Sequence, residues 1–121
     1  MRVLLVDDKP HLRVLVRTLV EGLGFDVVGE APNGAEAVVQ AAEHRPDAIV
    51  MDWDMPIMKG LEATALITAQ QPEIDVIAYT SAVDPLLRDL FMRSGARELV
   101  SKGDVPGLIA QLEACAAERV R

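Results

Sequence analysis

The chain has 121 residues and carries 19 acidic against 12 basic side chains, which gives a formal net charge of −7 at pH 7. This length suits one domain over residues 1–121 and is too short for two. Hydrophobic residues make up 50% of the chain and charged residues 26%, which indicates a packed globular domain and excludes a disordered chain. Neither half of the chain has an excess of basic residues, so direct binding of nucleic acid is not expected.

One cysteine and two histidines limit the covalent and metal chemistry of the chain. Cys115 has no partner for an internal disulfide, which suits a reducing compartment, and so few ligands cannot build a Cys/His zinc site. The apolar run at the N-terminus ends at Asp7 and Asp8, and no apolar stretch approaches ~18 residues, so we expect neither a signal peptide nor a membrane span. These features predict a cytoplasmic protein without a membrane partner.

Short apolar runs rich in Val and Ile alternate with longer segments of helical periodicity. The apolar runs predict five strands, at residues 3–6, 26–31, 48–51, 76–79 and 98–101. The first helical segment follows the first strand, and Gly24 ends it. Its apolar residues recur at the spacing of one buried helical face, namely at Leu12, Leu15, Val16, Leu19, Val20 and Leu23.

Four further helices follow the remaining strands. The second begins at Asn33, with Glu36 at the spacing of a capping box, and the third covers roughly residues 59–70. The fourth begins at Asp84 and Pro85, an N-cap residue followed by proline in the first turn. The fifth uses Asp104 as its cap and is expected to bury its apolar side chains, which are Val105, Leu108, Ile109, Leu112 and Ala116.

This alternation predicts an α/β fold made of five βα units. Strands that are almost wholly apolar need both faces covered, so we expect a doubly wound parallel five-stranded sheet with helices on both sides. Strands 1, 3 and 4 are predicted to be central. Strands 2 and 5 include polar residues and are predicted to be edges.

Polar side chains follow four of the predicted strands, at the edge of the sheet where ligands bind in parallel α/β folds. The carboxyl ends of parallel strands meet at one crevice, so we expect these side chains to converge there. Lys102, one of only three lysines in the chain, is placed to face the acids. The complete set is Asp7 and Asp8 after strand 1, Asp52 after strand 3, Thr80 and Ser81 after strand 4, and Lys102 after strand 5.

Mutual repulsion of the three carboxylates indicates a metal site. Two carboxylates ~5 Å apart repel by about 3 kcal/mol at an effective dielectric near 20, so three pairs cost about 10 kcal/mol, comparable with the stability of a whole domain. A hard divalent cation relieves this best, and Mg²⁺ takes one or two carboxylates while keeping positions for water and phosphate oxygen. Such a metal with a lysine and a hydroxyl is suited to phosphoryl transfer.

These residues resemble the receiver domain of bacterial two-component response regulators. The resemblance covers essentially the whole chain, and its Asp-Trp-x-Met-Pro form is particularly similar to chemotaxis members of the family. It implies a flavodoxin-like fold with strand order 2-1-3-4-5. Its motifs are the Asp7-Asp8 pair, the D-x-x-M-P-x-M-x-G run over residues 51–60, the stretch 80–84, and Gly95-Ala96 followed by Lys102.

The resemblance implies that Asp52 accepts a phosphoryl group from a sensor histidine kinase or a phosphotransfer protein. Asp8, Asp52 and the backbone carbonyl of Asp54 would bind Mg²⁺ directly, and Asp7 would act mainly through a metal-bound water. Lys102 would pair with the phosphoryl oxygens, and Thr80 would move to hydrogen-bond one of them.

The same resemblance implies a signalling switch rather than an enzyme, apart from self-catalysed phosphorylation and dephosphorylation. Movement of the Thr80 loop would bias helix 4 between two arrangements. A homodimer or an output domain could then be engaged through the face formed by helix 4, strand 5 and helix 5.

The sequence departs from the family pattern at two positions of this machinery. Gly103 follows Lys102 where proline is common, and we expect either a trans bond or a strained cis bond there. Leu99 stands where a rotating aromatic is usual, so the signal is expected to pass through helix 4 itself, by way of Leu87, Leu90 and Phe91.

Two further positions flank the expected phosphoryl group. Asp54 lies two residues after Asp52, where its carboxylate could repel an incoming anion or engage the metal, and Ala82 lies two residues after Thr80. We expect this pair to give a hydrolysis rate unlike that of family members with other pairs.

Two alternatives remain open from the sequence. A receiver-like module could bind a partner without being phosphorylated, which Leu99 and Gly103 make plausible. The Asp52-Trp53-Asp54 segment also resembles the D-x-D nucleophile motif of haloacid-dehalogenase-type phosphohydrolases, although in those enzymes this motif follows the first strand and a cap segment holds the substrate.

Overall fold

The computed structural model describes residues 1–82 and 84–120; Val83, which belongs to the 80–84 stretch, and Arg121 lie outside the described residues. Strands and helices alternate as predicted. In chain order they are β1 (Arg2–Val6), α1 (Pro10–Gly22), β2 (Asp26–Ala31), α2 (Gly34–His44), β3 (Ala48–Met51), α3 (Gly60–Gln70), β4 (Asp75–Thr80), α4 (Pro85–Arg93), β5 (Glu98–Ser101) and α5 (Val105–Glu118).

The five strands form one parallel sheet in the order β2-β1-β3-β4-β5, which confirms the predicted fold class, strand order and edges. Successive residues of β1 enter opposite cores. Leu4 and Val6 pack in the layer shared with α2 and α3, and Val3 and Leu5 pack in the layer shared with α1 and α5. The apolar strands therefore have both faces covered, as their composition requires.

The predicted helix starts are confirmed by hydrogen bonds from side chains to the first turn. Asn33 accepts from the Glu36 N–H at 2.9 Å, and Asp84 accepts from Leu86 N–H at 2.9 Å. Asp104 caps α5 by accepting from Gly107 N–H at 2.9 Å. Each bond satisfies an N–H group that would otherwise lack a partner within its helix.

Two predictions of burial are wrong. Leu15 of α1 is 63% exposed and Val105 of α5 is 42% exposed, because both line an open groove of about 400 Å³ between these helices. In α5, Leu108 and Leu112 are buried as expected, as is Cys115. Among the described residues, no helix is long and apolar enough to cross a membrane.

The loop between β3 and α3 contains a strained residue. Ile57 has φ +69°, and Met58 N–H donates to the carbonyl of Pro56 at 2.7 Å, so Ile57 is the central residue of a γ-turn with positive φ, a rare and strained geometry. A β-branched residue rarely takes this conformation. Its side chain is 84% exposed, so packing does not offset the strain.

Replacing Ile57 with asparagine should therefore stabilise the fold. Asparagine tolerates positive φ, and relief of the strain is expected to raise the free energy of unfolding by about 1 kcal/mol. Urea unfolding followed by circular dichroism measures the change. Ile57→Val keeps the β-branch and is expected to leave the stability nearly unchanged; a less stable Ile57→Asn variant would contradict the strain assignment.

Candidate functional site

Asp7, Asp52 and Lys102 each lie one position beyond a strand and continue the hydrogen-bond ladders of the sheet, whereas Thr80 is the last residue of β4. Asp7 N–H donates to the carbonyl of Ala31 at 3.1 Å, and Asp52 N–H donates to the carbonyl of Val6 at 2.9 Å. These bonds hold both aspartates at the edge of the rigid sheet. Their side chains therefore have little freedom to move apart.

Three carboxylates converge at this edge. Asp7, Asp8 and Asp52 each offer an oxygen, and these oxygens lie within 4.8 Å of one another. Asp52 is only 3% exposed and Asp7 is also buried, while Asp8 is half-buried. The predicted acidic cluster is thus brought together.

Lys102 is placed against the two buried acids, as predicted. Its Nζ lies 2.7 Å from Asp7 Oδ2 and 3.3 Å from Asp52 Oδ2. The main chain of this residue is also held, because Lys102 N–H donates to the carbonyl of Thr80 at 3.0 Å and its own carbonyl accepts from Tyr79 OH at 3.1 Å. One ammonium thus offsets part of the negative charge of the cluster.

The electrostatics of Asp52 reflect its burial. Loss of solvent raises the pKa of the Asp52 carboxyl, and the neighbouring charge of Asp7 raises it further, while Lys102 and a hydrogen bond oppose this rise. The bond comes from Trp53 N–H, 2.8 Å from Asp52 Oδ1. A metal cation bound at the cluster would act in the same direction as Lys102 and favour the ionised carboxylate.

The donor set fits a hard divalent cation. All three side chains offer carboxylate oxygens, which are the ligands that Mg²⁺ and Ca²⁺ prefer, and oxygens bound to one Mg²⁺ lie about 3 to 4 Å apart. Oxygens within 4.8 Å of one another need only small movements to reach that spacing. The cluster could therefore hold a metal ion.

The carboxylate of Asp54 lies apart from this cluster. Its side chain is 78% exposed and its Oδ1 lies 2.7 Å from Lys59 Nζ, and this hydrogen bond and charge hold the pKa of Asp54 below its usual range. Lys59 Nζ also lies 5.3 Å from the centre of the Trp53 ring. The acid is thus paired with a lysine, a contact that the sequence analysis did not anticipate.

Lys9 is a second cation that the sequence analysis missed. Its Nζ lies 3.4 Å from Asp8 Oδ1, and the charge of Asp8 raises the pKa of Lys9. We expected one of the three lysines to face the acids, and all three do. The available signal was positional: Lys9 directly follows the acid pair, and Lys59 lies in the loop after the strand that ends at Asp52.

Thr80 and Lys102 mark neighbouring strand ends. Thr80 is buried, and its hydroxyl accepts from Ala82 N–H at 3.3 Å, so its proton is available for another acceptor. Ser81 is exposed.

No peptide bond in residues 1–82 and 84–120 is cis, so the bond between Lys102 and Gly103 is trans, one of the two expected outcomes.

Gly60 allows a close approach of the loop to the site. Gly60 N–H donates to the carbonyl of Trp53 at 3.0 Å, and a Cβ at this position would overlap the carbonyl oxygen of Asp52. The end of the loop that carries Asp54 and Lys59 therefore packs directly against the backbone of Asp52 and Trp53. This contact explains the glycine at the end of the D-x-x-M-P-x-M-x-G run.

Comparisons with known proteins agree with this geometry. The family model described as response regulator receiver domain matches residues 3–113. A chemotaxis protein CheY from Listeria monocytogenes is 35% identical over 102 residues, which cover 84% of this chain and 86% of that protein. The response regulator domain of Thermotoga maritima CheB has a TM-score of 0.88 at 29% identity, covering 95% of each chain.

A longer relative has a further region that this chain does not match. The protein-glutamate methylesterase/protein-glutamine glutaminase 3 of Hahella chejuensis is 41% identical over 108 residues, which cover 88% of this chain and 31% of that protein. The chain thus spans about a third of the length of this methylesterase relative.

Gly60→Ala should disturb the fold and the site together. The added methyl group has to displace the Asp52 carbonyl, and we expect a loss of about 2 kcal/mol or more in the free energy of unfolding. Urea denaturation measures this loss. Gly103→Ala is the matched control, because a Cβ there meets only the Ser101 hydroxyl at 3.7 Å; equal losses in both variants would contradict the close-approach argument.

Proposed function

The chain belongs to the response regulator receiver domain family, and on this premise we propose that residues 1–121 form one receiver domain whose Asp52 is the phosphoacceptor. A receiver domain is a signalling switch that accepts a phosphoryl group. The observation that carries the assignment to Asp52 is its position, buried within the carboxylate cluster and 3.3 Å from the ammonium of Lys102. The donor would be a sensor histidine kinase or a phosphotransfer protein.

The metal ligands in this proposal are the carboxylates of Asp8 and Asp52 and the backbone carbonyl of Asp54, with Asp7 acting mainly through water. Mg²⁺ bound there would screen the negative charges of acceptor and phosphoryl group. The spacing of the carboxylate oxygens supports this ligand set. The exposed Asp54 side chain is paired with Lys59, which is compatible with a ligand role for its backbone alone.

Asp52, Lys102 and Thr80 are proposed to act on the phosphoryl group directly. Asp52 Oδ forms the new bond to phosphorus as the bond from phosphorus to the donor nitrogen breaks, and the electron pair leaves with the histidine ring. Lys102 Nζ already lies near the attacking carboxylate and would pair with the phosphoryl oxygens. The Thr80 hydroxyl would donate its proton to one of them as a hydrogen bond.

Transmission of the signal is proposed to run through α4. Leu87 and Phe91 pack with Ala78 of β4, and Leu99 packs beside them. Leu90 is 37% exposed, so it is a surface residue rather than part of this core. We propose that the face of α4, β5 and α5 binds an output domain or a second copy of the chain.

The two alternatives from the sequence receive less support. Convergence of the acids and Lys102 at one edge supports a phosphorylated receiver over a passive scaffold. The receiver topology, with the acid pair after β1, argues against a haloacid-dehalogenase-type phosphohydrolase. An enzymatic activity of the kind named in the methylesterase relatives would be the property of a separate region.

We propose a cytoplasmic location for the chain. The buried free thiol of Cys115 suits this location.

Phosphorylation of Asp52 can be tested with a small phosphodonor. Acetyl phosphate with Mg²⁺ should add one phosphoryl group, measured by intact-protein mass spectrometry, and should change the fluorescence of Trp53. This ring contacts Phe91 of α4 edge-on, with 6.3 Å between ring centres, so it reports on both the site and the helix.

Asp52→Asn is expected to remain unmodified, since the amide cannot act as the nucleophile. Asp54→Asn is the matched control two residues away and should still be phosphorylated. Labelling of Asp52→Asn at the wild-type rate, or no labelling of the wild type, would contradict the proposal.

The metal site makes a separate prediction about stability. Asp8→Asn removes two of the three repelling carboxylate pairs. Because solvent and the paired Lys9 screen most of this repulsion, the metal-free fold should gain only about 1 kcal/mol. Mg²⁺ at about 100 times its Kd should stabilise the wild type by about 2.7 kcal/mol, and this gain should be lost in Asp8→Asn. Thermal unfolding with and without Mg²⁺ measures both effects.

Asp54→Asn keeps the backbone carbonyl and should retain most of the Mg²⁺ stabilisation. If Asp8→Asn were stabilised by Mg²⁺ as strongly as the wild type, Asp8 would not be a ligand.

A further inference from the structure

All three lysines of the chain pair with aspartates that follow β1 or β3, and no aspartate is shared between two lysines. Lys102 contacts the buried Asp7 and Asp52, Lys9 contacts Asp8, and Lys59 contacts Asp54. By contrast, the arginines that the structure describes form their ion pairs with acids elsewhere, including Glu30, Glu98 and Asp75, although Arg13 also donates to the carbonyl of Asp7. Lysine charge is therefore concentrated at the edge where the phosphoryl group would arrive.

Among these lysines, Lys59 has a position that the transfer chemistry does not require. Its side chain is 51% exposed, whereas that of Lys102 is 16% exposed and faces inward. The ammonium is fixed between the carboxylate of Asp54, at 2.7 Å, and the ring of Trp53, at 5.3 Å. Lys59 thus presents a partly solvated positive charge in the loop that follows the acceptor, against the ring of the residue next to it.

The charge balance of the site depends on this residue. The three aspartates of the cluster, Asp54 of the following loop and the three lysines leave one net negative charge at this edge, to which Arg13 at the Asp7 carbonyl and its partner Glu30 add no net charge. A bound divalent cation turns this balance into one net positive charge. Without Lys59 the same edge with its cation would be neutral, in a chain whose net charge is −7. An approaching anion would then meet no local attraction to offset the field of the whole chain.

We propose that Lys59 recruits small anionic phosphodonors, of the acyl phosphate class, to the phosphorylation site through its charge. This inference rests on the proposed function of Asp52. In the step it assists, the bond from phosphorus to the acyl oxygen breaks as the bond to Asp52 Oδ forms, and the acyl group leaves as a carboxylate anion. No proton or further reactant is needed.

Lys59 is the residue to vary because its ammonium contacts none of the carboxylates assigned to the metal. Lys9 contacts the carboxylate of Asp8, so its removal would alter the metal site as well as the charge. The ammonium of Lys59 contacts the exposed carboxylate of Asp54 and the ring of Trp53, whereas the role of Asp54 in metal binding is assigned to its backbone. A change in rate without a change in Mg²⁺ affinity therefore reports on recruitment.

The test compares phosphorylation rates in excess Mg²⁺, measured by mass spectrometry because Lys59 lies against the fluorescent ring. Lys59→Gln should lower the second-order rate with acetyl phosphate about fivefold at low ionic strength, and added salt should reduce the difference. The loss should be smaller with phosphoramidate, which carries less negative charge. Lys59→Arg should restore the wild-type rate.

Three further variants separate charge from other effects. Arg93→Gln removes the same charge from the far end of α4, where Arg93 pairs with Asp89, and should leave the rate unchanged. Asp54→Asn should raise the rate, and the double variant Lys59→Gln/Asp54→Asn, with the charge balance of the wild type, should return close to the wild-type rate.

Several outcomes would overturn the inference. Equal rates for Lys59→Gln and Arg93→Gln would show that Lys59 recruits nothing, and a matching loss of Mg²⁺ affinity would show that it acts through the metal. A double variant as slow as Lys59→Gln would contradict the role of charge. Failure of the proposed function is distinguishable, because then the wild type itself would not be phosphorylated.

Discussion

The mutual repulsion of three carboxylates is the constraint on which the rest of this structure depends. Asp7, Asp8 and Asp52 bring oxygens within 4.8 Å of one another, an arrangement that costs several kcal/mol in the absence of cations. The sheet keeps them there because Asp7 and Asp52 continue its hydrogen-bond ladders. The stability of the buried strands thus holds together a cluster that would otherwise separate, and Lys102 offsets part of its charge.

Most of this arrangement could be predicted from the sequence because it follows from the strands. An apolar run buried on both faces identifies a central strand of a parallel sheet, and the residue after it must lie at the ligand-binding edge. Asp52 was located in this way, and Lys102 by its place after the last strand, without knowledge of any side-chain conformation. The capping residues, such as Asn33 and Asp104, were equally predictable because each acts on its own first turn.

Features that depend on neighbouring elements or on loop geometry could not be predicted. Periodicity shows that Leu15 lies on the apolar side of α1, but not that α5 leaves a groove beside it. The positive φ of Ile57 contradicts the preference of a β-branched residue, so local propensity pointed away from it. The pairing of Lys59 with Asp54 depends on the conformation of a six-residue segment, and sequence alone does not fix how its two ends meet.

The hydrogen bonds of Thr80 indicate which parts of the structure would move when the charge of the site changes. The carbonyl of Thr80 is bound by Lys102 N–H, so the strand end itself is fixed to β5. Among the described residues, its hydroxyl accepts only the longer bond from Ala82 N–H, so its proton can be donated to a phosphoryl oxygen. The adjoining helix α4 is buried mainly through Leu87 and Phe91, so it has few contacts with the core to break. In the proposed switch, a new charge on Asp52 would therefore leave the sheet in place and act on the loop and the helix that follow Thr80.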